Sequence, residues 1–534
     1  MKKHWFGVIL LDNFIERYLV VMELSEYAVN FLVLAGLLLY GVISSRLSTR
    51  MNMPVLLLFL AVGIYLGSFQ KLDFTLHKGA AVQFANVVGT VAMAFILYSG
   101  GLETDMRSVK KIFVPGILLS TLGVFITAVV LAVGVHLLLG WTWAWSFLLG
   151  AVVSSTDAAA VFAVLRSKGV SLHGNLASAL EFESGSNDPM AALLTIFMVS
   201  FLKNPEIGNL WQFAWVFPVR MIVGIICGVG IGFAGKWLFN NAKLDYEGLY
   251  FVLGIAVVIA SYGVTECVFG NGFMAAYCAG LTMGNLRYNY KKGQIRFNNG
   301  LAWLMQVAMF TVLGMLVTFK DLISIPPSGL HTAVWVRGLL LGAVLMFVAR
   351  PVAVFLCLIK SKFNIRERLL ISWMGLRGAA PIVLATFPLA AHLSGNAERS
   401  ENAVLLFNLV FCMVIVSVLI QGRTLMPFAK LLKLDCPLQE KKRMPLELED
   451  TGTHDNIMHE FEIDKSSPCV NKSLAEINLP HEARVMLVRR GGKFEIPRGD
   501  TVIATHDGLL IIGSHDLLHK LAAEYFPGND YFEN

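Results

Sequence analysis

Residues 177–202 read ASALEFESGSNDPMAALLTIFMVSFL. A run of about 20 residues crosses the hydrocarbon core of a bilayer, about 30 Å, as a single helix. This run is long and apolar enough to do so, yet Glu183, Asn187, Asp188 and Pro189 stand in its middle. Ionisable groups at such a depth are costly and mark ion pathways or proton relays. The setting is general to the chain, whose 534 residues are 56% hydrophobic and 15% charged, against about 45–50% and 25% for ordinary soluble domains.

Working outward, thirteen candidate spans are read near residues 27–45, 54–69, 82–101, 112–139, 143–165, 177–202, 212–239, 247–268, 272–286, 300–318, 332–358, 367–392 and 402–421. The loops test the count, because Lys and Arg accumulate on the cytoplasmic side of every second loop. One set of loops carries seventeen Lys and Arg, including Arg287, Lys291, Lys292 and Arg296, and the other set carries six. An odd number of spans with this bias places the N-terminus outside and the C-terminus in the cytoplasm. The same topology accounts for the net charge of +6, so no nucleic-acid partner is expected; the bilayer itself is the expected surroundings.

Residues 1–24 form an N-terminal segment in which Asp12, Glu16 and Arg17 break the apolar character. It is a poor signal peptide, and translation from Met1 or from Met22 are both open. The seven cysteines show no CxxC spacing and lie mostly in apolar runs, which fits reduced, packed thiols and no bound cofactor. After the membrane part, 25–425, a solvated linker is expected over 426–455, basic and then acidic. Short alternating stretches over 456–526, divided by Gly491-Gly492, Pro497-Arg498-Gly499 and Asp507-Gly508, predict a small α/β domain, followed by a tail at 527–534. The fold class is therefore an all-α polytopic membrane protein with a small cytoplasmic α/β domain.

The intramembrane polar groups cluster in three places: Ser154-Ser155-Thr156-Asp157, Glu183 to Pro189, and Gly375-Leu376-Arg377-Gly378-Ala379-Ala380-Pro381. Asn187 shares a helix face with Glu183 at i,i+4, while Asp188 points elsewhere. Asp188 is thus free to face a water-filled cavity as Glu183 faces an intramembrane cation. Arg377 is the first choice for that cation, ahead of Arg350 and Arg220, because its glycines and proline mark broken helix. Interrupted helices at matching positions of two inverted repeats point to the substrate site of a secondary transporter. Here the fifth and twelfth spans carry the helix-weakening sequence.

A carboxylate in a partly dehydrated cavity holds either a proton or a cation on the same oxygens, and the two compete. If the site crosses only when loaded, the result is exchange, electroneutral with Asp188 as the single titrating group. Oxygen ligands suit hard alkali ions: the Asp188 and Asp157 carboxylates, the Ser184 and Thr156 hydroxyls, and carbonyls released by a broken helix. Against this, Asp157 could simply bond a neighbouring helix, and Ser184 and Thr156 their own backbones. Two other motifs carry no chemistry. Gly230 to Gly235 matches a dinucleotide fingerprint but lies inside an apolar helix with no preceding strand, and His481-Glu482 lacks the second histidine of a zincin. No enzyme site emerges.

The three clusters, in order and on the expected spans, resemble the NhaP branch of the monovalent cation:proton antiporters over about residues 25–425. The resemblance implies an NhaA/NhaP-like homodimer of thirteen-span protomers in the bacterial inner membrane, each with a dimerisation part and a moving core. It implies that Asp188 binds the ion or the proton, that Asp157, Thr156 and Ser184 complete the site, that Glu183 pairs with Arg377, and that Asn187 holds Asp157. Asn at 187 instead of a second Asp goes with electroneutral exchange. Residues 456–526 are similar to the TrkA-C domain of regulators of potassium conductance, a type that pairs and binds small ligands or ions. The combination resembles the potassium/proton antiporter subgroup called cell volume regulation protein, which implies K+ exchanged for H+, while the site residues would serve Na+ equally well. The chain departs from longer members by ending near residue 534, and has no Rossmann half, so control by NAD or ATP is not implied. A Na+/H+ antiporter of the same fold is the first alternative. A ligand-gated cation channel is a weaker one, since no TVGYG-like filter is present, and a sensor without transport is a third.

Overall fold

The computed structural model describes residues 28, 31–32, 35–44, 55–67, 79–203, 210–326, 332–392, 397–437, 456–464, 467–477, 479–480, 482–491 and 493–526. The N-terminal segment with Met1 and Met22, residues 438–455 of the linker, His481 and the 527–534 tail lie outside them. In chain order the helices of the membrane part are α1 (Ala35–Ser44), α2 (Val55–Gly67), α3 (Gly79–Glu103), α4 (Met106–Leu118), α5 (Val124–Leu139), α6 (Trp143–Val152), α7 (Ala158–Ser167), α8 (Leu176–Lys203), α9 (Leu210–Asn241), α10 (Gly248–Cys267), α11 (Gly272–Asn285), α12 (Lys291–Met315), α13 (Phe319–Ile323), α14 (Val334–Val344), α15 (Arg350–Cys357), α16 (Ile365–Trp373), α17 (Ala379–His392) and α18 (Ala397–Leu432).

Among the described residues, seven continuous helical runs are long and apolar enough to cross a membrane. Helices dominate because no water is available inside a bilayer to satisfy free backbone groups. Two of the seven runs are not uniform. Leu119–Gly123 is a π-helical turn joining α4 to α5, and Leu345–Ala349 joins α14 to α15 in the same way.

Two expected spans are interrupted. The run read as 143–165 is helix only to Val152 and again from Ala158, and the run read as 367–392 stops at Trp373 and resumes at Ala379. The causes differ. Ser154, Ser155, Thr156 and Asp157 offer side-chain oxygens that compete for backbone amides, whereas Gly375 and Gly378 remove the side chains that favour helix. The expected linker also begins later than residue 426. Helix α18 continues to Leu432, and strand β2 (Asp435–Pro437) pairs antiparallel with β1 (Val170–Leu172), Cys436 opposite Ser171. Residues 426–432 are apolar apart from Lys430, so they extend the helix beyond the span.

The described residues divide into two compact units: one is made of residues up to Ile231 with Val258–Gly284 and Asn299–Leu438, the other of Gly232–Val257, Asn285–Asn298 and the C-terminal residues. Close helix packing in the first relies on small residues. A Cβ at Gly280 would lie 2.1 Å from the Tyr98 carbonyl oxygen and one at Gly284 2.3 Å from that of Leu102, so α11 and α3 touch backbone to backbone.

In the C-terminal part β3 (Asn456–Glu462), β4 (Arg484–Arg490), β5 (Lys493–Glu495) and β6 (Gly508–Ser514) form an antiparallel sheet in the order β3-β6-β4-β5, with α19 (Leu474–Ile477) and α20 (His515–Tyr525). Phe461, Val488, Ile511 and Leu518 are buried in its core. Ser514 caps α20, its hydroxyl accepting the Leu517 amide. Asp507, before β6, accepts from Arg490 Nη2 at 2.7 Å and from the Ala504 amide at 2.8 Å. Burial pushes its carboxyl up, but the Arg490 hydrogen bonds, the Ala504 amide and the charges of Arg490 and Arg489 outweigh it and hold the group below the usual carboxylate range. A carboxylate depressed in the folded state adds stability above its unfolded pKa, about 3.9, and that stability is lost as pH falls through the folded value. Asp507→Asn is therefore expected to lower amide-exchange protection of residues 503–512 in the full chain at neutral pH, corrected for intrinsic exchange. The difference from wild type should close as pH falls below about 4.

Candidate ion site where two broken helices cross

The two interruptions meet. The Asp157 amide donates to the Leu376 carbonyl at 2.8 Å, joining one break to the other. Each break strands helix-end groups that need partners. At the end of α6, the Arg377 guanidinium donates to the Ser154 carbonyl at 2.7 Å and also to that of Ser155, a cation set where a helix C-terminus presents its negative end. At the start of α7, Asp157 Oδ1 accepts the Ala160 amide at 3.2 Å as an N-cap. The second break is held from α18, where Ser417 Oγ accepts the Arg377 amide at 3.2 Å and Gln421 Nε2 donates to the Trp373 carbonyl at 3.1 Å.

Helix α8 lies beside this crossing and supplies the rest. Ser184 Oγ accepts the Ala158 amide at 3.0 Å and donates to the Thr156 carbonyl at 2.9 Å. Asn187 Nδ2 donates to Thr156 Oγ1 at 2.5 Å. Pro189, inside α8, has no N–H and leaves the Gly185 carbonyl without its ordinary helical donor. Asp157, Thr156, Ser184, Gly185 and Asp188 all line one cavity of about 170 Å³. Its wall includes Tyr277 and, further out, the exposed Glu103 and Glu181. Asp157 and Asp188 are half-buried, whereas Glu183 and Asn187 are fully buried. Glu183 and Asp188 thus face different surroundings.

Two expected contacts are different. Glu183 pairs with Arg350, Oε1 to Nη1 2.6 Å, at 1% and 3% side-chain exposure, and not with Arg377. The reason is that the Arg377 guanidinium is taken up by the carbonyls of the α6 end, whereas Arg350, following the π-helical turn, lies against Gly375 and reaches Glu183. Asn187 bonds Thr156 and not Asp157, because Asp157 turns its carboxylate to the start of α7. Arg220, the third candidate, pairs with Glu266 at 2.8 Å.

One residue of the crossing had no role in the sequence reading beyond weakening the helix. A Cβ on Gly378 would lie 2.0 Å from Asp157 Oδ2, so only glycine fits the approach of the second break to this carboxylate. Gly378→Ala is expected to displace Asp157 and cut ion exchange in vesicles by at least about tenfold, as a misplacement of about 1 Å does at other reacting centres. Wild-type flux from a normally inserted Gly378→Ala protein would mean that Asp157 need not sit where it does.

The transmembrane family of sodium/hydrogen exchangers matches residues 33–431, and the TrkA-C domain matches residues 458–525. The chain belongs to the sodium/hydrogen exchanger family. It is a multi-pass membrane protein. The K(+)/H(+) antiporter NhaP of Alkalimonas amylolytica is 35% identical over 485 residues, covering 90% of this chain and 81% of that one. The K(+)/H(+) antiporter NhaP2 of Shewanella sp. strain ANA-3 is 35% identical over 92% of this chain and 82% of its own length. The Na(+)/H(+) antiporter 1 of Methanocaldococcus jannaschii is 25% identical over 72% of this chain. The structure of the sodium proton antiporter MjNhaP1 from Methanocaldococcus jannaschii at pH 8 superposes with a TM-score of 0.63 at 21% identity, covering 75% of this chain and 97% of that one, a likeness of fold.

Proposed function

We propose that this family member is a secondary antiporter exchanging K+, and Na+ as well, for H+ across the bacterial inner membrane, with Asp188 as the group that carries either ion or proton. The observation that carries the reading is the placement of Asp188 and Asp157 in one cavity beside two broken helices that hydrogen-bond to each other. Thr156, Ser184 and released carbonyls offer a cation hard oxygen donors. Asn187 and Arg377 support the site by holding Thr156 and the end of α6, and Glu183 does so through Arg350. One titrating carboxylate makes the exchange electroneutral.

The same reading includes thirteen spans in two inverted repeats, an external N-terminus, a cytoplasmic C-terminal domain that binds a small regulatory ligand, and a homodimer. Potassium is favoured over sodium by the two relatives at 35% identity, both named K(+)/H(+) antiporters. The archaeal relative, named a Na(+)/H(+) antiporter, supports sodium as the second reading. Proteoliposomes holding a pH gradient and a pH-sensitive dye separate these, with K+, Na+ or Li+ added in turn. Dissipation by K+ is expected, saturating with concentration. Dissipation by Na+ alone would sink the potassium assignment and keep the exchange, and cation flux indifferent to the pH gradient would indicate a channel.

A further inference from the structure

Helix α11 grips α8 on either side of Asp188. Tyr277, 2% exposed, fills a notch at Gly185, where a Cβ would lie 2.3 Å from its ring. At the start of α11, Asn271 is 3% exposed and uses both ends of its amide. Its Oδ1 accepts the Phe273 and Met274 amides at 3.1 and 3.3 Å, and its Nδ2 donates to the Pro189 carbonyl at 2.8 Å, one residue past Asp188. The turn bearing Asn271 is itself tied down. Its amide donates to the Arg220 carbonyl at 3.0 Å, Arg220 Nη2 donates to the Gly270 carbonyl at 3.1 Å, and Glu266 Oε1 accepts the Gly272 amide at 2.9 Å.

The cavity is one-sided with respect to this grip. It runs from the exposed Glu103 and Glu181 down to Asp188, whereas Pro189 to Thr195, the next two turns of α8, are all buried. A transporter that works by alternating access must also open its site toward the other face, and for that the packing beyond Asp188 has to part. The bond from Asn271 to Pro189 is a buried polar link from the next helix to the backbone immediately past the carboxylate.

We propose that Asn271 is a positioning residue, the bolt that keeps the far side of the ion site shut while the near side is open, and that its bond to the Pro189 carbonyl breaks each time the site changes face. This rests on the antiport reading, and two substitutions separate the bolt from the helix cap. Asp at 271 still accepts the α11 amides but has no N–H for Pro189, and Ser at 271 caps equally well but is too short to reach. The measurement is side-directed labelling of an Ala159→Cys thiol, placed on the cavity wall, with a membrane-impermeant reagent in vesicles of defined orientation. The background replaces Cys227, Cys267 and Cys436, which are not buried, by Ser.

In both Asn271→Asp and Asn271→Ser, labelling from the far side is expected to rise about fivefold, the shift that loss of one buried hydrogen bond produces, and Asn271→Ser, which buries no new charge, is expected to keep a thermal stability near that of the parent. Far-side labelling at the parent rate in both would overturn the proposal. So would a rise confined to Asn271→Ala, since that would assign the effect to the cap. Labelling reads accessibility without ion flux, so it fails independently of the antiport reading, which the cation dependence of proton flux in proteoliposomes decides.

Discussion

Asp188→Asn is expected to abolish cation-driven proton flux in proteoliposomes while the protein inserts and purifies as the parent does. The substitution is nearly isosteric, and Asp188 takes no part in the Glu183–Arg350 pair that ties α8 to α15, so the fold has no reason to fail. What is lost is chemical. An amide neither takes up a proton at working pH nor supplies a negative charge to a cation. Two unit charges 4 Å apart at an effective dielectric of about 20 attract by about 4 kcal/mol, and every ~1.4 kcal/mol is tenfold in binding. Loss of that attraction alone accounts for a fall of about a hundredfold or more, before the missing proton is considered. Flux within a few-fold of wild type would show that another group carries the charge. Asp157 is then the next to test, since it lines the same cavity, but its Oδ1 already caps α7, so its loss would mix a structural effect with a transport one.

Much of this site was legible in the sequence because the bilayer makes polar groups conspicuous. Glu183 to Pro189, Ser154 to Asp157 and Gly375 to Pro381 are the three places where apolar runs are broken in mid-span, and all three converge on one crossing. The difference between Asp188 and Glu183 was also readable, since five residues of helix turn the two side chains to different faces. Partner choice was not. Arg350 stands in the run LMFVARPVAVFLC and Arg377 in a glycine-rich one, and composition favours the second as the unusual position. The decision is made in space by the carbonyls of Ser154 and Ser155, whose need for donors follows from where the second break passes the first, and no local pattern encodes that crossing. Asn187 and Thr156 are 31 residues apart and meet for the same reason. Asn271 was missed although it is the one polar side chain in Gly270-Asn271-Gly272. A turn of that composition reads as a tight connection between helices, and its bond to Pro189 spans 82 positions.

The Glu183–Arg350 pair carries the second large expectation, on stability. Both side chains are almost wholly out of solvent and 2.6 Å apart, and Arg350 Nε and Nη2 have no hydrogen-bond partner among the described residues. Removing one member of such a pair leaves a buried charge uncompensated and costs about 3–5 kcal/mol, whereas replacing both with apolar or neutral groups of similar volume is often close to neutral. Glu183→Gln and Arg350→Met should therefore each lower the thermal midpoint of the detergent-solubilised protein and its yield in the membrane, and the double variant should recover most of the loss. Arg377 lies within electrostatic reach of both residues, so the same cycle run between Glu183 and Arg377 is the control. Its coupling should be the smaller, because Arg377 spends its hydrogen bonds on the α6 carbonyls and its removal strands those groups whatever stands at 183. Equal coupling in the two cycles would mean that Glu183 serves both arginines as one charge network. A larger coupling to Arg377 would overturn Arg350 as the partner of Glu183.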